Sequence, residues 1–138
     1  MRYIIGLGNR LRAEDAFGLD VVSKLESFSL LDTKCLLLSQ LIPELVLELV
    51  DASEIIFIDA CYSLENDYIL ACTLLEEKNI GLSHQISYKV ILSMLSQLYT
   101  KRPKYQIYSM FTKNFENFEN VLQYEEKVQQ VVNHLLYK

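Results

Sequence analysis

The chain has 138 residues, enough for one domain with a real core and too few for two. Hydrophobic residues make up 51% of it and charged residues 22%, the balance of a folded globular protein rather than a disordered tail. A net charge of −5 argues against a nucleic-acid groove, which needs cations to neutralise phosphates, and favours a protein partner or a small ligand.

The opening run Arg2-Tyr3-Ile4-Ile5 is apolar and stops at Gly6-Leu7-Gly8-Asn9. That is the pattern of a buried parallel strand ending at a crevice, where glycine permits a sharp turn and leaves room for a ligand. A polar loop follows and ends in adjacent acids, Glu14 and Asp15, whose simplest role is to offset a helix macrodipole. Phe17, Val21, Leu25 and Phe28 then recur at helical spacing, predicting a helix over about residues 14–29 with one core face. Lys34 to Ser39 reads as a second strand. Gln40-Leu41-Ile42-Pro43-Glu44-Leu45 opens a second helix with Pro43 near its first turn, where a missing N–H does little harm. Leu45, Leu49 and Val50 continue its apolar side.

The third strand, Ile55 to Ala60, is wholly apolar until Asp59. A continuous apolar strand is buried on both faces, and open α/β sheets build their sites at the C-terminal ends of such strands. A fourth strand spans Tyr68 to Leu74 and leads into a charged loop, Glu76-Glu77-Lys78-Asn79. His84 falls at or just before the start of a third long helix carrying Ile86, Val90, Ile91, Met94, Leu95 and Leu98. Tyr105 to Phe111 alternates like a half-exposed edge strand, and a closing helix carries Val121, Val128, Val132 and Leu135 inward. The predicted fold is α/β, a single domain over residues 1–138. It is a three-layer sandwich with a mostly parallel five-stranded twisted sheet and helices on both faces.

Such a sheet brings Asp15, Asp59 and His84 towards one rim. Two carboxylates and an imidazole suit a divalent transition metal such as nickel or zinc with positions left open. The competing reading is structural: Asp15 caps a helix, Asp59 ends a strand and His84 is an exposed histidine. Other templates fit less well. Leu11 stands where a dinucleotide fingerprint needs its third glycine, and no GxSxG elbow occurs. The three cysteines, Cys35, Cys61 and Cys72, have no CxxC spacing and read as reduced thiols. Cys61 could approach His84 but lacks an orienting third group. His134 reads as a partly exposed helix residue. The N-terminal apolar run is too short for a signal peptide and no run approaches a membrane span, so a cytoplasmic protein is expected, and a monomer by default.

Taken together, Gly6-Leu7-Gly8-Asn9 with Leu11, Glu14-Asp15-Ala16-Phe17-Gly18, Ile56-Phe57-Ile58-Asp59-Ala60 and Ser83-His84-Gln85 resemble, in order, the landmarks of hydrogenase maturation endopeptidases. Gln40-Leu41-Ile42-Pro43-Glu44-Leu45, and Phe115-Glu116 with Glu119 and Leu122, are similar to the branch serving cytoplasmic NAD-linked hydrogenases. The resemblance implies an aspartic-type peptidase that removes a C-terminal extension from the nickel-iron hydrogenase large-subunit precursor after nickel insertion. It implies Asp15, Asp59 and His84 as contacts to a nickel presented by that substrate, with Asp15 and Asp59 as the catalytic acids. The chain departs from the pattern in having only 4 glycines, Ala16 in place of a common glycine and Glu14 in place of a common aspartate. Two alternatives remain: a non-cleaving nickel-dependent chaperone or sensor of the same precursor, and a peptidyl-tRNA hydrolase. The latter family also opens on Gly-Leu-Gly-Asn but continues with Pro-Gly and an early histidine, which this chain lacks.

Overall fold

The two most continuous apolar runs become the centre of the sheet. β1 (Arg2–Leu7) and β3 (Glu54–Tyr62) are buried along almost their whole length, as parallel strands covered on both faces must be. With β2 (Thr33–Leu38), β4 (Ile69–Thr73) and β5 (Lys104–Thr112) they form a five-stranded sheet in the order β2-β1-β3-β5-β4. Only β4 is antiparallel, pairing with β5. The computed structural model describes residues 1–64, 68–73 and 83–137, with side chains except at 72, 73 and 83–87. The predicted charged loop at 76–79 lies outside the described residues.

Period-two alternation sends neighbouring strand residues to opposite cores. On one face Ile4, Ile56, Ile58 and Met110 meet α1 (Phe17–Glu26) and α4 (Val121–Leu136) through Phe17, Val21, Leu25, Val128 and Val132. On the other, Ile5, Phe57 and Ile107 meet α2 (Leu45–Leu49) and α3 (Ser83–Tyr99) through Leu45, Leu49, Ile91 and Leu95. Each such side chain contributes roughly 1.5–3 kcal/mol on burial. The expected three-layer architecture is present. Among the described residues no helix is long and apolar enough to cross a membrane.

Several elements differ from the sequence reading. β5 is interior, not an edge, with β3 on one side and β4 on the other. Its buried polar residues, Ser109 and Thr112, bond to buried acids instead of water, as described below. A 3₁₀ turn, Ala13–Ala16, precedes α1, which ends at Glu26. Phe28 lies beyond it, 52% exposed, because the chain turns away through Ser29, whose φ is 49°. α2 begins only at Leu45, and Pro43 accepts from the Val46 N–H in the turn before it. Val121 is exposed at the first turn of α4, and Tyr124 takes the inward place.

The topology dictates where a site can form. β1 lies between β2 and β3, so the strand order reverses there, and the connections leaving β1 and β3 diverge to open a crevice. The β1–β3 ladder stops at Gly6↔Ile58, while β3 continues through Asp59 to Tyr62 paired with β5. α1 closes tightly over this region because Gly18 has no side chain. A Cβ at that position would stand 2.1 Å from the Ile58 carbonyl oxygen and 2.5 Å from that of Leu7.

Candidate active site

The loop after β1 folds back on itself to deliver Asp15 to the strand ends. The Gly8 N–H donates to the Leu38 carbonyl at 3.1 Å, and the Asn9 N–H donates to the Asp15 carbonyl at 3.3 Å. Asn9 also organises the turn: its Oδ1 accepts from the Leu11 N–H at 2.9 Å, and its carbonyl accepts from the Arg12 N–H at 3.1 Å. Side-chain turns of this kind are what asparagine does best in loops. Glycine is required at position 8, because a Cβ there would lie 2.2 Å from the Asp15 carbonyl oxygen. The Gly-Asn signature is thus the hinge that returns Asp15 to the sheet.

Asp15 and Asp59 line one cavity of about 230 Å³ at the C-terminal ends of the strands, together with Gly8, Asn9, Ser39 and Ala60. Asp15 is the more open, with 18% of its side chain accessible, and Asp59 is buried at 2%. Asp59 does not end its strand as predicted. It lies within β3, opposite Ser109 of β5, beyond the last β1 pair, which is why a residue inside a strand can face a cavity. Ser109 Oγ donates to its Oδ1 at 2.8 Å, Tyr88 Oη donates to its Oδ2, and the Cys61 thiol donates to Oδ1 at 3.6 Å. Both oxygens are therefore held from the protein side.

Burial pushes the Tyr88 hydroxyl well above its ordinary pKa, and the Asp59 charge pushes it further. Tyr88 therefore keeps its proton and remains a donor. Burial likewise pushes the Cys61 thiol up, followed by the Asp59 charge. A thiol in that state is not a nucleophile at neutral pH, which removes Cys61 from consideration as one. His84 is the second residue of α3, one turn before Tyr88, so its predicted place at the helix start holds; its side chain lies outside the described residues. Asp15 and Asp59, predicted to converge, do so.

Four contributors escaped the sequence reading. Tyr88, Ser109 and Ser39 are ordinary-looking residues whose roles follow from strand and helix registers. The fourth is Arg12, which extends its guanidinium to 3.9 Å from Asp15 Oδ2 and 2.5 Å from Glu116 Oε1, over the Phe115 ring at 5.7 Å. It links the cavity loop to the segment between β5 and α4. At 41% exposure these ion pairs are worth little as stability but fix the loop's position. Glu14, next to Asp15, points the other way and is fully buried. It accepts from Tyr68 Oη, Thr112 Oγ1 and, at 3.2 Å, the Glu119 N–H. The expectation that it merely offsets a helix dipole at the surface is corrected by that burial. His134 is exposed on α4 with its Nδ1 2.6 Å from Tyr108 Oη, away from the cavity.

The chain shares this mostly parallel fold with solved structures of hydrogenase maturation proteases. The hydrogenase maturating endopeptidase HybD from E. coli superposes with a TM-score of 0.71 at 21% identity, covering 99% of this chain and 92% of that one. The [NiFe] hydrogenase maturation protease HycI from Thermococcus kodakarensis KOD1 gives 0.70 at 17% identity, over 97% and 88%. The hydrogenase 2 maturation peptidase from Thaumarchaeota archaeon SCGC_AB-539-E09 gives 0.68 at 18% identity, over 99% and 96%. No family model and no curated protein matches the chain in sequence.

Proposed function

We propose that this protein is a hydrogenase maturation endopeptidase, which removes the C-terminal extension of a nickel-iron hydrogenase large-subunit precursor once nickel has been inserted. The observation that carries the reading is the convergence of Asp15 and Asp59 on one cavity at the divergence of β1 and β3, in a fold shared with maturation proteases. Exposed apolar side chains at or just beyond the C-terminal ends of β1, β2 and β3, Leu11, Ile42, Tyr62 and Leu64, suit a protein substrate, since exposed apolar groups on one side of a molecule favour protein contacts.

In this reading nickel arrives as part of the substrate. Asp15, Asp59 and His84 supply oxygen and nitrogen donors that complete its coordination, so the metal-loaded precursor binds better than the empty one. The two acids then divide the work. Asp59, with both oxygens engaged by Tyr88 and Ser109, is built as a fixed anchor. Asp15, more accessible, is the better placed to take a proton from the water that adds to the scissile carbonyl and to return it to the leaving amine.

The test is to incubate the protein with nickel-loaded and nickel-free precursor and to follow precursor length by mass spectrometry. Shortening of the loaded form alone is expected. Asp15→Asn and His84→Ala should each reduce the rate at least about 100-fold with unchanged circular dichroism. Binding of the loaded precursor without shortening would replace the peptidase by a non-cleaving chaperone. Normal processing by both variants would remove the site assignment.

A further inference from the structure

At the other end of the sheet, the C-terminal half of α3 and the start of β5 frame an open trough of about 480 Å³. Its floor is Leu92, Pro103 and Tyr105, all half-buried, and its rim is Lys89, Lys101 and Arg102, all exposed. No acid lines it. Among the described residues none of these three cations forms an ion pair, whereas Lys24, Lys34 and Arg12 all do. A chain with 18 acids and 13 lysines and arginines thus gathers three positive groups, without an ion pair among the described residues, around an apolar floor.

The rim is also held in place. Arg102 Nε donates to Ser96 Oγ at 3.2 Å, which orients the guanidinium while leaving its terminal nitrogens for a carboxylate. Thr100, a β-branched residue, takes a left-handed φ of 56°, a conformation that such residues adopt only where the surroundings impose it. There the Thr100 N–H donates to Ser96 at 3.1 Å and the Lys101 N–H to Leu95 at 3.0 Å, folding the Lys101-Arg102 pair back against the helix.

We propose that this trough is a docking groove for an extended acidic segment of a partner protein, whose carboxylates pair with Lys89, Lys101 and Arg102 while an interspersed apolar side chain covers Leu92 and Tyr105. A bare phosphate would leave the apolar floor unused. A nucleic acid would carry its remaining phosphates onto an acidic surface, where three cations give little counterion release. An open trough suits a chain segment better than an enclosed small molecule, whose sites bury most of the ligand. The proposal does not rest on the peptidase reading, because none of its residues lines the acid cavity.

The experiment measures fluorescence anisotropy of a labelled peptide of alternating Glu, Asp and Leu with the full chain. Saturable binding that weakens as salt rises is expected. Lys101→Glu and Arg102→Glu should each weaken it at least about 10-fold, and Arg102→Lys should weaken it about 3-fold because the planar fork is lost. All three side chains are exposed, and circular dichroism checks that the variants fold. No binding to the unsubstituted protein, binding indifferent to both reversals, displacement by equimolar inorganic phosphate, or tighter binding of a single-stranded oligonucleotide to the same residues would each overturn the proposal.

Discussion

Glu14 and Asp59 are held by nearly the same chemistry and stand in opposite situations. Each buried carboxylate accepts from one tyrosine hydroxyl and one aliphatic hydroxyl on β5: Tyr68 and Thr112 for Glu14, Tyr88 and Ser109 for Asp59. Glu14 has no accessible surface and ties the 3₁₀ turn to the start of β4, the end of β5 and the segment before α4. Tyr68 Oη in turn accepts from the Asn120 N–H at 2.7 Å, so the knot extends to the start of α4. Asp59 is almost as buried, but it borders the cavity that Asp15 also lines. Residue type and hydrogen-bond count do not separate these two acids. Access to a space that a substrate can enter does.

The sharpest way to break the comparison is to neutralise Asp59 without changing its shape and to remove the Glu14 carboxylate. Asp59→Asn should reduce precursor processing by at least about 100-fold, with the melting temperature little changed because the amide still accepts from Ser109 or Tyr88. Glu14→Ala should do the reverse to the fold. It takes the carboxylate from two buried hydroxyls, Tyr68 and Thr112, at a cost of about 2 kcal/mol or more, and the melting temperature should fall by on the order of 10 °C. Processing by the fraction that remains folded should persist. If Glu14→Ala leaves the melting temperature unchanged, the knot is not structural.

Smaller changes to the donors should separate the two clusters more finely. Tyr88→Phe and Ser109→Ala each remove one bond to Asp59, so kcat should fall about 10-fold with KM nearly constant, alongside a loss of about 1 kcal/mol in stability. Tyr68→Phe and Thr112→Val should cost a similar amount of stability and leave kcat alone. Equal kinetic effects from the two pairs would remove the distinction between an anchor and a knot.

The same clusters explain what could be read in the sequence. The continuous apolar run ending in Asp59, the Gly-Asn turn before Asp15 and the helical spacing after His84 are local patterns, and the structure follows them. β5 reads as an edge because Ser109, inside the predicted strand Tyr105 to Phe111, looks like a solvent-facing position, as does Thr112 just beyond it. They are polar because they serve Asp59 and Glu14, the second of these across 98 residues of sequence. Glu14 escapes the sequence pattern for the same reason. An acid at the start of a helix has a sufficient local explanation, and nothing near it in sequence announces that Tyr68 and Thr112 will enclose it. Phe28 and Val121 continue a helical period past the point where the chain leaves the core, and periodicity alone does not mark that point.

The smallest effect concerns alkaline pH and separates the cavity cluster by titration. Burial raises the pKa of both Cys61 and Tyr88 in the folded protein, and the Asp59 charge adds to each. In the unfolded chain a thiol ionises near pH 8.5 and a phenol near pH 10. Above those values the unfolded state binds fewer protons than the folded one, so stability falls as pH rises, by up to about 1.4 kcal/mol per pH unit for each group involved. Tyr124, raised by burial and by its bond to Asp20, steepens the fall from about pH 10 upward. Between pH 8.5 and 10 the fall comes from the thiols, Cys61 and also Cys35, which burial and the Glu26 charge raise in the same direction. Cys61→Ala should therefore lower the melting temperature slightly and uniformly up to pH 8 and should flatten its decline between pH 8.5 and 10, measured by circular dichroism against the unsubstituted protein. An unchanged slope in that interval would mean that the thiol can ionise in place, which is incompatible with a Cys61 enclosed beside a charged Asp59.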